Sequence, residues 1–243
     1  VMYMDRLCIG THAAISSNPS PWVDGDGNLL DVIPIVFQSL MFPGTGETYD
    51  IQPRETKVLA VTAIDHTAVD ANPNSPADLS NADFETFVHP DRDIDNPSVP
   101  NLIIMYTTAA AMTDWSMATS GNRSVVTWRL PTGLDWESFV ENAENFMQNP
   151  TTGSGSLNFM VHKDWVVDGV EMVDSREDRR HKQLPVEVDA GMIWNEEGRG
   201  FSIRRKVEKI IDGSIFLKNT NNSSEDWVSG HLPDPGVVQP VID

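Results

Sequence analysis

Trp165-Val166-Val167-Asp168-Gly169-Val170-Glu171-Met172-Val173 is the stretch on which the fold class turns. Two apolar runs, rich in β-branched residues, flank Asp168-Gly169, a pair that accepts the positive φ angles of a tight two-residue turn. The stretch predicts two strands folded back on each other. Working outward, Leu157, Phe159 and Val161 alternate with polar neighbours, the period of a half-buried strand. Ile210-Ile211 and Ile215-Phe216-Leu217 around Asp212-Gly213 predict a second hairpin, and Met192-Ile193-Trp194 with Phe201-Ser202-Ile203 a third. Ile203, Val207, Ile210 and Ile211 also fit a helical stripe, but the turn chemistry on both sides decides for strand.

The N-terminal half carries the same texture. Asp24-Gly25-Asp26-Gly27-Asn28 reads as a reversal between Trp22-Val23 and Leu29-Leu30. Residues 57–64, 102–106 and 125–130 are strand candidates, while Pro34 argues against a central strand within 32–42. One helix is expected near 134–148, from Phe139, Val140, Ala143, Phe146 and Met147 at helical spacing. Thr132 and Asp135 approximate its capping box, and Asn149-Pro150 stops it. The expected fold is therefore mainly β, with short antiparallel strands in a sandwich or barrel and one substantial amphipathic helix; α+β is the second choice. A single domain over 1–243 is expected. It carries a long irregular excursion at 70–101, where prolines cluster among acids, and a candidate sub-boundary at the 149–156 connector.

Charge narrows the function classes. The chain has 36 acidic and 17 basic side chains, a net charge of −19. The first hundred residues alone hold 15 acidic against 4 basic ones. Such a surface repels phosphate backbones and anionic lipid, so direct nucleic-acid binding and membrane insertion are not expected. No apolar run has the length that spans a bilayer. Cys8 is the single cysteine, so no intrachain disulfide forms. Val1 in place of Met, with no signal-peptide pattern, points to a trimmed chain or a piece released from a longer polypeptide.

The chemistry-bearing residues do not assemble into a catalytic set, and no enzyme activity or cofactor is expected. Asp91, Asp93 and Asp95 form D-x-D-x-D, the opening of a calcium loop. The remainder of that pattern fails: Asn96 replaces the turn glycine and Leu102 the closing glutamate. Calcium at these three aspartates, or at Asp24 and Asp26, is the metal candidate; a solvated acidic loop is the plainer reading. Cys8 and His12 lie four apart, and a lone buried cysteine is commoner than a nucleophile so placed. Asp114-Trp115, Asp135-Trp136, Asp164-Trp165 and Asp226-Trp227 set acids beside tryptophans. That pairing suits a sugar cleft with two catalytic carboxylates, although 36 acids make some adjacency unavoidable. Two basic clusters, Arg176, Arg179, Arg180 and Arg204, Arg205, Lys206, are interface candidates for the acidic surface of another copy; a solvated edge strand explains them equally.

A processed-looking Val1, one cysteine, loops rich in Asn-Pro, Thr and Ser, and an acidic exterior together make the chain resemble capsid or virion-surface proteins of non-enveloped RNA viruses. The resemblance is spread over the whole chain, rests on no diagnostic motif and transfers no residue role. It implies a structural subunit, such as an outer protrusion of a shell, localised to the virion and to the host cytoplasm during assembly. The implied partners are copies of itself or other shell proteins, and a host receptor or glycan. The alternatives are a carbohydrate-binding or carbohydrate-cleaving protein, and a cellular or phage adhesion or tail module.

Overall fold

The computed structural model describes residues 1–12, 22–28, 30–68, 77–107, 115, 124–148, 150, 157–173, 184–195 and 200–238. In chain order its elements are β1 (Met2–Tyr3), β2 (Leu7–His12), β3 (Val32–Met41), β4 (Asp50–Ile51), β5 (Leu59–Ala60), β6 (Phe84–Glu85), β7 (Ile103–Thr107) and β8 (Val125–Arg129). There follow α1 (Trp136–Glu141), β9 (Phe146–Met147), β10 (Asn158–His162), β11 (Val166–Val170), β12 (Ser202–Arg205), β13 (Val207–Ile211), β14 (Ser214–Leu217), α2 (Ser223–Asp226) and β15 (Trp227–His231). The protein is mainly β, with short antiparallel strands and two short α-helices.

Its frame is a seven-stranded sheet in the order β11-β8-β2-β3-β10-β9, with β7 also paired to β3. Side chains alternate across this sheet, and both faces are covered. One face sends Cys8, Ile33, Ile35, Val126, Trp128, Phe159 and Val161 into a core closed by Phe139, Val140, Trp165 and Leu184. The opposite face sends Leu7, Ile9, Leu40, Ile104 and Val125 against Tyr49, Phe84, Leu102 and Trp115. The described part of the 70–101 excursion is thus a packed layer as well as an irregular one. Phe84, Glu85 and Thr86 are buried in it, and Ala82 and Val99 join Ala60 and Ala63 in a third small core.

Several local expectations are corrected. The helix over 134–148 covers only Trp136–Glu141, and Asp135 itself is its N-cap, accepting from the Ser138 N–H at 2.9 Å. Asn142 turns extended there and its side chain caps a separate 3-10 turn, Ala143–Asn145. Phe146 then enters β9. The helical spacing misleads because Phe139 and Phe146 reach the same ring, Phe159, at 5.4 and 5.6 Å between centroids, one from a helix and the other from a strand.

Asp168-Gly169 is not a turn: β11 runs straight through it beside β8. A Cβ on Gly169 would lie 2.7 Å from Val188 Cγ1, so glycine serves close packing here. The hairpin between 192–194 and 201–203 does not form either. Ile193 bridges Met172, while β12 pairs β15. Pro34 does lie in β3, opposite Met160; β2 pairs β3 no further than Ile35, so among the described residues Pro34 has a strand on one side only. The strand expected over 57–64 shrinks to β5, which pairs β6 in parallel. The Asp24–Asn28 reversal forms as read, closed by Asp24 N–H to Asn28 O at 2.8 Å. So does the Asp212-Gly213 hairpin, with φ of 49° and 75° at its two turn residues. The 149–156 connector lies outside the described residues apart from Pro150.

Candidate functional site

The acidic excess divides into two populations, and the buried one is structural. Asp5, Glu85, Glu171, Asp189 and Asp226 are all buried. Each spends its carboxylate on backbone N–H groups of distant or looping segments, the partners a buried charge requires. Asp5 accepts from Gly46, Thr48 and Tyr49 at 2.7–3.0 Å, fixing the loop before β4. Glu85 accepts from Ala63 and Asn96, both at 3.0 Å. Glu171 takes Leu184 at 3.0 Å. Asp189 takes Glu171, Gly191 and Ser223 at 2.7–2.9 Å. Asp226 takes Thr220 and Asn222. Burial pushes the Asp5 carboxyl up, but its three N–H donors outweigh that and hold it at about 2. Asp226 is likewise held below the usual carboxylate range by Thr220 and Asn222 against the cost of burial.

The acid–tryptophan pairs come apart in space and in role. Asp135 caps α1, Asp226 is buried in its loop, and Asp164 faces solvent beside His162. Trp115 is buried, and Trp165 packs against Phe139 with centroids 5.3 Å apart and the rings inclined at 55°; Asp114 lies outside the described residues. Cys8 and His12 share β2, which places their Cα atoms ~13 Å apart. Burial pushes the Cys8 thiol up to about 12.

In the D-x-D-x-D segment Asp93 accepts from the Val88 and Ile94 N–H groups, and Asp95 from the Asn101 amide. Asp91 is exposed, as is Ile94 beside Asp93. Asp24 is folded onto its own turn through the Asp26 and Asn28 N–H groups. Among the described residues no three His, Cys, Asp or Glu are grouped to hold a metal ion.

What the structure does bring together is the second basic cluster. Arg204 and Arg205 end β12, Lys206 follows, and β13–β14 projects beyond them. Arg205 Nη2 donates to Asp168 at 2.5 Å, tying this segment to the edge of the large sheet. Its guanidinium carbon stands 4.7 Å from the Trp227 ring centroid, a cation–π stack. Arg204 donates to the Leu232 carbonyl. Burial pushes the Asp168 carboxyl up, with Arg205 opposing. A shallow cleft of about 350 Å³ opens beside this stack, between Leu217, Trp227, Pro233 and Val237. Arg176, Arg179 and Arg180 of the first cluster lie outside the described residues.

The hairpin was expected from its turn, but the exposure of its apolar side chains is what sequence reasoning passed over. Ile210, Ile211, Phe216 and Leu217 are 41–49% exposed. Pairing puts Lys209 and Ile211 on one face with Phe216, and Ile210 with Ile215 on the other. Consecutive apolar residues on a strand signal burial on both faces. Here each face keeps two apolar side chains well exposed, Ile211 and Phe216 on one and Ile210 and Leu217 on the other. From 204 to 218 five basic residues meet two acidic ones, a local +3 that leaves −22 for the remainder. The doubled Ile210-Ile211 was the available signal.

A family model described as "Protein of unknown function (DUF4876)" matches residues 52–234. The chain belongs to the DUF4876 family. A DUF4876 family protein from Bacteroides thetaiotaomicron, known from its crystal structure, shares the fold with a TM-score of 0.81 and 20% identity over 96% of this chain. The chain spans 63% of that protein's length. No curated protein matches it. Family membership and a bacterial neighbour overturn the capsid reading, and with it the virion localisation. The traits behind that reading are compositional, and acidic, loop-rich β proteins share them whatever their source. No helix among the described residues is long and apolar enough to cross a membrane.

Proposed function

We propose that this DUF4876 chain is a non-catalytic interaction module, a β scaffold that works by presenting a contact surface to another protein. The observation that carries the reading is the β13–β14 hairpin, whose apolar side chains stand in solvent on both faces while lysines surround them. Exposed apolar patches with a polar rim mark contact sites on soluble proteins. The Arg205–Asp168 bond and the Trp227 stack hold the base of the hairpin to the scaffold, so it is presented at a fixed place. The buried carboxylates support the reading from the other side, because they are engaged in holding loops. A glycan platform has weaker support: one face of Trp227 is taken by Arg205, and its neighbour Asp226 is buried.

The test is photo-crosslinking in cells that make the protein, with a photoreactive phenylalanine analogue at Ile211 and a control at exposed Glu137 on α1. A discrete protein adduct from position 211 alone, lost when Lys206 and Lys209 are changed to Glu, is the expected result. No adduct from position 211 overturns the reading.

A further inference from the structure

We infer that the partner of the β13–β14 hairpin is the acidic N-terminal part of a second copy of this chain; the inference rests on the interaction reading above and names its occupant. Charge complementarity carries the choice. The segment 204–218 has a net charge of +3 on a chain of −19. The surface complementary to it is already present on every copy, since the first hundred residues hold 15 acids against 4 bases. Asp5 and Glu85 are buried among them, but Asp26, Glu47, Asp50, Asp91 and Asp95 remain toward solvent. Ile94, 56% exposed between Asp93 and Asp95, adds an apolar group to that acidic surface.

Two whole copies repel one another, so association depends on a local patch of opposite sign that also buries apolar area. The hairpin supplies both. Lys209 lies 5.6 Å from the Phe216 ring centroid, which places a cation and an aromatic on the same face. Hairpin against hairpin would set Arg204, Lys206 and Lys209 against themselves, a like-charge arrangement that costs affinity. The contact therefore joins two different patches. It closes as a reciprocal pair or continues from copy to copy.

Sedimentation velocity on the intact chain, from micromolar to sub-millimolar concentration, reads the association directly. Wild type is expected to self-associate. A Lys206→Glu, Lys209→Glu variant and, separately, an Ile211→Ser, Phe216→Ser variant should each weaken association by about tenfold or more. Lys209, Ile211 and Phe216 are half-exposed and Lys206 is partly buried, and unchanged circular dichroism and melting confirm that the variants fold. Carbodiimide coupling of mixed isotopically light and heavy protein should join Lys206 or Lys209 of one copy to an Asp or Glu within residues 1–101 of the other. A wild type that stays monomeric throughout, or mixed-isotope links confined to other surfaces, overturns the inference. Monomeric behaviour together with a position-211 adduct to a different protein in cells rejects the second copy and keeps the interaction reading. Monomeric behaviour with no adduct rejects both.

Discussion

Arg205 on β12 donates to Asp168 on β11 at 2.5 Å, an ion pair that joins the seven-stranded sheet to the C-terminal strands. The Arg205 side chain is largely buried and stacks on Trp227, so its loss removes a charged hydrogen bond and a cation–π contact together. Arg205→Ala should lower stability by about 1–3 kcal/mol in chemical denaturation. Arg205→Lys should recover part of that, since it restores charge without the planar fork. An unchanged midpoint for Arg205→Ala would show the bond to be dispensable.

Asp5 predicts an acid dependence with a defined sign. Its folded carboxyl, at about 2, lies below the ordinary value of 3.8. Its stabilisation is therefore complete above the ordinary range and is lost as pH falls from there toward 2. Asp5→Asn should cost about 2 kcal/mol at neutral pH. The gap between wild type and variant, followed by thermal melts at stepped pH, should narrow across that acid window. A gap that stays constant to pH 2 would remove the titration from the account.

Gly191 marks a crowded join. A Cβ there would sit 2.5 Å from the Ser224 backbone nitrogen and 2.1 Å from Asn222 Oδ1. Gly191→Ala should destabilise by about 1–3 kcal/mol, because backbone must move to admit the methyl. Gly25→Ala, with open space around it, is the matched control and should leave the melting temperature near wild type.

Cys8 should be inert in the native protein. It is fully buried on the central strand β2, and burial raises its thiol to about 12. An aromatic disulfide reagent should label it only in denaturant, with a native rate limited by unfolding. Rapid native labelling would mean that the sheet opens locally at β2.

Much of the frame was legible in the sequence because one-dimensional pattern maps onto it. Alternation at Phe159 and Val161 placed β10, and Asp212-Gly213 placed the hairpin turn through its positive φ. Asp168-Gly169 shows where pattern fails. The same dipeptide serves a turn in one place and close packing against Val188 in the other, and only tertiary contact separates them. The spacing of Phe139 and Phe146 failed for the same reason, since two unlike elements converge on Phe159. Of the candidate site, Arg204, Arg205 and Lys206 were visible as a charge cluster. The stack of Arg205 on Trp227 and its bond to Asp168 join residues far apart in sequence, which local pattern does not encode. The loop-holding roles of Asp5, Glu85 and Asp189 were hidden in an overall acid count.

The split between the two sets of carboxylates sets a rule for re-engineering the chain. Solvent-facing acids such as Glu47, Asp50 and Asp91 can be exchanged for lysine in number, even to the point of reversing the sign of the exterior, without dismantling the architecture. Asp5, Glu85, Glu171, Asp189 and Asp226 must be spared in any such library, because each is an anchor point for chain that has no strand to pair with.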